Sequence, residues 1–181
     1  MRVITGSARG VPLATLPGEQ VVRPTSQRVK EAIFSAIQFE IAGLGALDAF
    51  AGSGQLGIEA LSRGAATCLF LEQDAGALKM IAKNLERCKL SEKAKLLQVE
   101  ALQYLRRTVD QFGLIFLDPP YGRELLGQAI PIAAERLGPG GLLVCEAGAR
   151  ESLPERCGDV ALRKEYRHGK TKICVYQRNR E

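Results

Sequence analysis

Residues 118–121 read Asp-Pro-Pro-Tyr, directly after the four apolar residues Leu-Ile-Phe-Leu at 114–117. An apolar run of this kind reads as a fully buried strand. Neither proline can donate to a sheet ladder, so the strand must stop and the backbone after Asp118 must be stiff. A carboxylate, a rigid turn and an aromatic ring are thereby held together at one strand end. The Asp118 carboxylate and the Pro119 carbonyl can each accept an N–H bond, and Pro120 keeps both acceptors fixed. Tyr121 offers a flat face on which a base can stack, worth roughly 1–3 kcal/mol. An exocyclic amine of a nucleobase is a poor nucleophile, because its lone pair is delocalised into the ring. Two fixed acceptors would hold such an amine with its lone pair aimed at a methyl donor, with the orientation set before reaction.

A second pattern lies upstream. Gly52, Gly54 and Gly57 in "DAFAGSGQLGIEA" satisfy G-x-G-x-x-G, after one apolar run and at the opening of a helix. Glu72 ends the next strand, eighteen residues after Gly54, where a carboxylate would meet a ribose diol. The same glycines could admit the pyrophosphate of a nicotinamide cofactor or the methionine and ribose portion of S-adenosylmethionine. Asp48, inside the first strand, fits the second better, since it sits where an ammonium needs a counter-charge. At the end of the third strand, Glu100-Ala101 could hydrogen-bond an adenine amine. A Walker-type phosphate loop is excluded, because Lys164 stands where the "GKT" of residues 169–171 would require a glycine.

These residues need a scaffold that brings strand ends together, and the chain supplies one. From residue 46 onward strands and helices alternate: strands at 46–50, 67–72, 95–100, 114–118 and 141–147, helices at 56–64, 75–88, 101–109 and 124–136. The last strand follows the turn "GPGG", and "TKICVYQR" at 171–178 alternates and reads as an edge or antiparallel strand. Near-continuous apolar strands separated by helices predict an α/β, doubly wound, mostly parallel sheet covered on both faces. In that fold ligands bind at the carboxyl ends of the strands, where Asp48, Glu72, Glu100 and Asp118 all lie. The first 45 residues break the rhythm and read as an N-terminal extension packed on the main domain of residues 46–181. "RVITG" and "VPLATL" could pair as a hairpin. A helix follows with Thr25 or Ser26 as N-cap, and Val29, Ile33, Ile37 and Ile41 form its apolar stripe, with Arg28 off that stripe.

Composition narrows the classes further. The 181 residues, 46% hydrophobic and 25% charged, suffice for a sizeable core. No apolar run approaches the ~18 residues of a membrane span, and "MRVITGSARG" lacks the apolar centre of a signal peptide, so a cytoplasmic protein is expected. The five cysteines show no paired spacing and His168 is the sole histidine, so neither disulfides nor a metal site is expected. The net charge of +5 is unevenly placed: residues 1–30 carry +4, residues 163–181 carry +5, and the body between carries −4. Two basic ends on an acidic body point to a polyanionic partner, nucleic acid foremost.

The motifs together resemble a known family. "RPTSQRVKEAIFSAI", "DAFAGSGQLGIEALSRGA", "LDPPY" and "GKTKICVYQR" occur in the order seen in bacterial methyltransferases acting on guanine N2 of small-subunit ribosomal RNA, and the likeness includes the "ITGSARG" start. The resemblance implies a class I, Rossmann-like methyltransferase sheet of seven strands with its last strand antiparallel, and a flipped-out guanine as acceptor. It implies S-adenosylmethionine bound by Asp48, Phe50, Gly52, Gly54, Glu72, Gln73, Glu100, Ala101 and Asp118. Asp118, Pro119, Pro120 and Tyr121 would hold the guanine, that at position 966 of 16S RNA foremost. Arg23, Thr25 and Arg28 match the N-terminal motif and are expected at the mouth of the site, contacting RNA or bracing the catalytic loop. Arg2, Arg9 and Lys170 join them as RNA contacts. The expected partner is 16S ribosomal RNA in an assembling or assembled small subunit, met by a monomer without metal or membrane. One departure is Glu100, where related enzymes more often carry Asp or Asn. A nicotinamide-dependent oxidoreductase would leave Asp-Pro-Pro-Tyr and the basic ends unexplained. Methyltransferases of other RNAs, DNA amines or protein glutamine share the tetrapeptide, but the DNA and protein enzymes usually carry separate recognition segments for which this chain has little room. A non-catalytic assembly factor would show degenerate motif residues, and none is degenerate.

Overall fold

The computed structural model describes residues 1–15, 27–120 and 125–180. Its helices are α1 (Gln27–Ile37), α2 (Gln55–Ser62), α3 (Ala75–Arg87), α4 (Ala101–Arg107) and α5 (Leu125–Ala134). Its strands are β1 (Gly45–Asp48), β2 (Thr67–Glu72), β3 (Ala94–Gln98), β4 (Phe112–Leu117), β5 (Leu137–Gly148), β6 (Arg156–Cys157), β7 (Val160–His168) and β8 (Thr171–Arg178). They form one sheet in the order β3-β2-β1-β4-β5-β8-β7-β6. The first five neighbours run parallel, while β8 pairs antiparallel with β5 and β7 antiparallel with β8. The chain winds outward from β1 to β3 and returns through β4, so the order reverses between β1 and β4. That reversal opens the crevice in which doubly wound sheets bind ligands.

Successive side chains of a strand point to opposite faces, and both faces here are covered. Leu114 and Phe116 of β4 pack under α1 and α2 with Phe34, Ile58 and Leu61. Ile115 and Leu117 pack on the other face against Leu105, Ile130 and Ala133 of α4 and α5. Burial on both sides is why β4 reads as an unbroken apolar run. Val29, Ile33, Ile37 and Ile41 are all buried, and Arg28 is exposed.

Two sequence expectations are corrected and one alternative is settled. The sheet has eight strands, not seven, because a two-residue strand, β6, caps the edge beyond β7. Of the two alternatives for residues 171–178, the antiparallel one holds: β8 pairs antiparallel with β5 and β7 and lies between them. "GPGG" is not a turn before a strand. It lies inside β5, where pairing jumps from Phe112–Leu137 to Leu114–Leu142 and the extra residues bulge out.

The N-terminal residues do form a hairpin-like ladder, with Val3 N bonded to Val11 O and Leu13 N to Met1 O. The tail of "VPLATL" at Leu16 and the helix-capping candidates Thr25 and Ser26 lie outside the described residues. The ladder is fastened to α2. Ile4 N and Thr5 N donate to the two carboxylate oxygens of Glu59, and Ala8 N donates to Ser62 Oγ. At Gly6 the φ is +89° and a Cβ would sit 1.8 Å from Ser62 O, so only glycine allows this approach.

Candidate functional site

The carboxyl edge of the parallel strands gathers most of the residues singled out above. β1 ends at Asp48, β2 at Glu72, β3 runs out just before Glu100, and β4 delivers Asp118 immediately after Leu117. Ranked by strand order, three carboxylates stand on the β3-β2-β1 side of the switch point and Asp118 stands on the other.

The loop between β1 and α2 is built by its glycines. Gly52 and Gly54 have φ of +54° and +79°, a region that costs any L side chain. Gly57 is required for a different reason: a Cβ there would fall 2.3 Å from the Phe70 ring and 2.8 Å from Cys68 Sγ. The third glycine therefore sets how closely α2 lies on β2. Gly52 N donates to Glu72 Oε2 at 2.9 Å, while Gln73 N and Asp74 N donate to Glu72 Oε1 at 2.8 and 3.0 Å. One carboxylate thus ties the glycine loop to the start of the β2–α3 connection.

Asp48 is buried, and its Oδ2 accepts from Gly57 N at 2.9 Å. A carboxylate at a helix N-terminus meets both an unpaired N–H and the positive end of the macrodipole. Burial still dominates and pushes the Asp48 carboxyl up to about 7, with the nearby Glu72 charge adding to the rise and the Gly57 bond opposing it. Glu100 is engaged differently from its sequence expectation. It is the N-cap of α4, accepting from Leu102 N at 2.9 Å and Gln103 N at 2.7 Å. Each oxygen accepts one backbone N–H, so Glu100 caps the helix, and the buried Ala101 beside it opens that helix.

Asp118 is partly exposed, Pro119 buried and Pro120 exposed. Phe50 packs beside the β4–α5 face of the core, and Gln73 is exposed with its carbonyl accepting from Gln98 Nε2. Tyr121, Arg23 and Thr25 lie outside the described residues. Of the other candidate RNA contacts, Arg2 and Arg28 are exposed. The Gly6–Gly10 turn that carries Arg9 packs on Ser62, at the end of α2 farther from the glycine loop, so Arg9 is not brought to the carboxyl edge. Lys170 is brought there, in the exposed turn between β7 and β8.

Two buried polar residues have roles that the sequence reading did not show. Asn84 is buried on α3, where it donates from Nδ2 to Ser53 O of the glycine loop (3.1 Å) and to Ala14 O (2.9 Å), and accepts from Ala14 N (2.9 Å). It joins the glycine loop to the N-terminal segment. The available signal was an amide on the apolar stripe Ala77–Ile81–Asn84–Cys88. Lys30, counted among the basic residues of the N-terminus, is instead buried against Glu59.

A family model described as Conserved hypothetical protein 95 matches residues 1–177. Ribosomal RNA small subunit methyltransferase D of Haemophilus influenzae is 40% identical over 151 residues, spanning 81% of this chain and 78% of that protein. The protein of the same name from Escherichia coli K12 is 33% identical over 182 residues, spanning 98% of this chain and 90% of its own length. The solved structure of Escherichia coli yhhF has a TM-score of 0.88 and 32% identity, covering 100% of this chain and 99% of the other.

Proposed function

Because the chain belongs to the Conserved hypothetical protein 95 family, we propose that it methylates small-subunit ribosomal RNA with S-adenosylmethionine as donor. The finer reading is that the acceptor is the exocyclic N2 amine of a guanine, that at position 966 foremost. The observation that carries it is that a positive-φ glycine loop and the Asp118-Pro119-Pro120 segment follow adjacent strands at the sheet's switch point.

The residues fit the donor. Gly52 and Gly54 leave the backbone of the β1–α2 loop bare at two positions, Glu72 stands at the β2 end for a ribose diol, and Asp48 supplies charge toward an ammonium. When bound, S-adenosylmethionine supplies a methyl group on a positively charged sulfur, a sufficient electrophile without a metal. Asp118 and the Pro119 carbonyl accept the two N–H bonds of the amine. The lone pair, released from conjugation, is then aimed at the donor side of the crevice. The stiff Pro119-Pro120 turn fixes the acceptors, and the Asp118 carboxylate steadies the positive charge that grows on nitrogen before its extra proton leaves. Tyr121 supplies the stacking surface for the everted base.

The test is transfer of radiolabelled methyl from S-adenosylmethionine to unmodified small ribosomal subunits, with DNA as control and nucleoside analysis of the product. N2-methylguanine is the expected product. Label in DNA alone, or at a ring nitrogen, overturns the reading.

A further inference from the structure

We propose that the β7–β8 turn and the loop leaving β5 form a preformed grip for the RNA phosphates flanking the target base. The inference rests on the RNA-methylation reading above. β5, β8 and β7 continue the sheet on the side of β4 opposite the glycine loop, so their tips share the carboxyl edge with Asp118. At a strand spacing of about 4.8 Å, the β8 and β7 tips lie roughly 10–15 Å along the edge from the end of β4. That is the region a strand of RNA must cross when one of its bases is turned into the crevice.

The tip is rich in fixed cations: Arg150, Arg167 and Lys170 are all exposed there. The acidic groups of the same region are already committed. Glu165 bonds Lys172 Nζ at 3.0 Å and Arg167 Nε at 3.3 Å, which holds its carboxyl below the usual range, and Glu151 Oε2 accepts from Gly148 N. The edge is therefore biased in charge: carboxylates stand at the ends of β1 to β3, while beyond β5 the basic residues Arg150, Arg167, Lys170 and Lys172 outnumber Glu151 and Glu165.

The tip is also rigid. His168 pairs with Thr171 across a two-residue turn whose first member, Gly169, has φ +58°, the pattern of a type II′ turn. Thr171 Oγ1 donates to His168 O at 3.2 Å. Ala149 N donates to Lys170 O at 2.9 Å, which joins the turn to the loop that carries Arg150. Cations on a braced turn lose little freedom on binding, which favours a grip over a solvated charged surface.

The full-length protein would be compared with the triple variant Arg150→Gln, Arg167→Gln, Lys170→Gln and with Lys83→Gln, a control on the exposed face of α3. Three quantities would be measured: affinity for a small-subunit ribosomal RNA fragment against salt, KM and kcat for label transfer, and affinity for S-adenosylmethionine. The triple variant should lose at least tenfold in RNA affinity, with the salt slope reduced by about 2, given about 0.7–0.9 per phosphate contact. KM for RNA should rise, with kcat at saturating RNA and cofactor affinity unchanged. Lys83→Gln should match the parent. An unchanged salt slope in an active triple variant overturns the grip alone. A parent protein that binds cofactor but labels no ribosomal RNA overturns the reading on which the grip rests.

Discussion

Lys30 Nζ lies 3.0 Å from Glu59 Oε2, and neither side chain reaches solvent. Glu59 Oε1 also meets Arg63 Nε at 2.8 Å, and the two oxygens accept from Ile4 N and Thr5 N. Lys30 in turn donates to Arg2 O at 3.1 Å. One carboxylate on α2 therefore holds α1 and the N-terminal ladder, and burial lowers the Lys30 pKa even though Glu59 pulls it up. A buried pair of this kind is costly to break from one side, because the remaining charge is stranded. Glu59→Ala should cost about 3–5 kcal/mol in urea unfolding. Lys30→Met should cost less, since Glu59 keeps Arg63 and two backbone donors. Equal losses would show that the carboxylate is not the hub.

Asp48 gives stability a pH dependence of defined direction. Its carboxyl rises to about 7 on folding from an ordinary 3.8, so the folded state holds the proton more tightly than the unfolded chain. The contribution is complete below the unfolded value and is lost as pH climbs toward 7. Unfolding midpoints should therefore fall across that window in the parent and stay flatter in Asp48→Asn. Affinity for the ammonium-bearing cofactor should move oppositely, rising through pH 7 in the parent only.

Gly57→Ala should destabilise, against the usual sense of that change. In a helix interior, alanine is ordinarily favoured over glycine by about 1 kcal/mol. Here the new methyl would meet Phe70 and Cys68 at less than contact distance, so α2 must lift from β2, for a net loss on the order of 1–3 kcal/mol. Gly127→Ala in α5, where nothing lies within 4 Å, should be neutral or stabilising. Melting temperatures of the two variants decide the matter. Gly57→Ala should also weaken cofactor binding, because Gly57 N anchors Asp48.

Asp118→Ala should abolish methyl transfer while leaving cofactor affinity within about threefold of the parent. Single-turnover labelling beside calorimetric titration of S-adenosylmethionine separates the two. Parallel loss of both would make Asp118 a support of the β4 end and not a holder of the amine.

The parallel half of the sheet was readable because its strands are buried on both faces and its loops need glycine or proline at stated positions. Residues 149–170 were not read as strands, and the cause is physical. β7, "VALRKEYRH", is charged and largely exposed, and an extra residue at Arg163 shifts its register. Leu162 consequently packs with one face of the core and Tyr166 with the other, so no period of two survives. Lys30 and Glu59 misled for a related reason. A charge buried by a partner 29 residues away looks, in sequence, like any charge on a solvated helix. Glu100 was placed at the correct strand end, but its length lets it reach two backbone N–H groups of its own helix.

The position of β8 carries a consequence in time. It is the last of the eight strands to be synthesised, yet it sits between β5 and β7 with residues 171–176 buried. Until it arrives, β5 has an unpaired edge and β6 and β7 have no neighbour linking them to the rest of the sheet. The parallel half of the sheet, with the glycine loop and Asp118, thus precedes the β7–β8 tip in the chain, and that tip is joined to the sheet only when β8 is inserted.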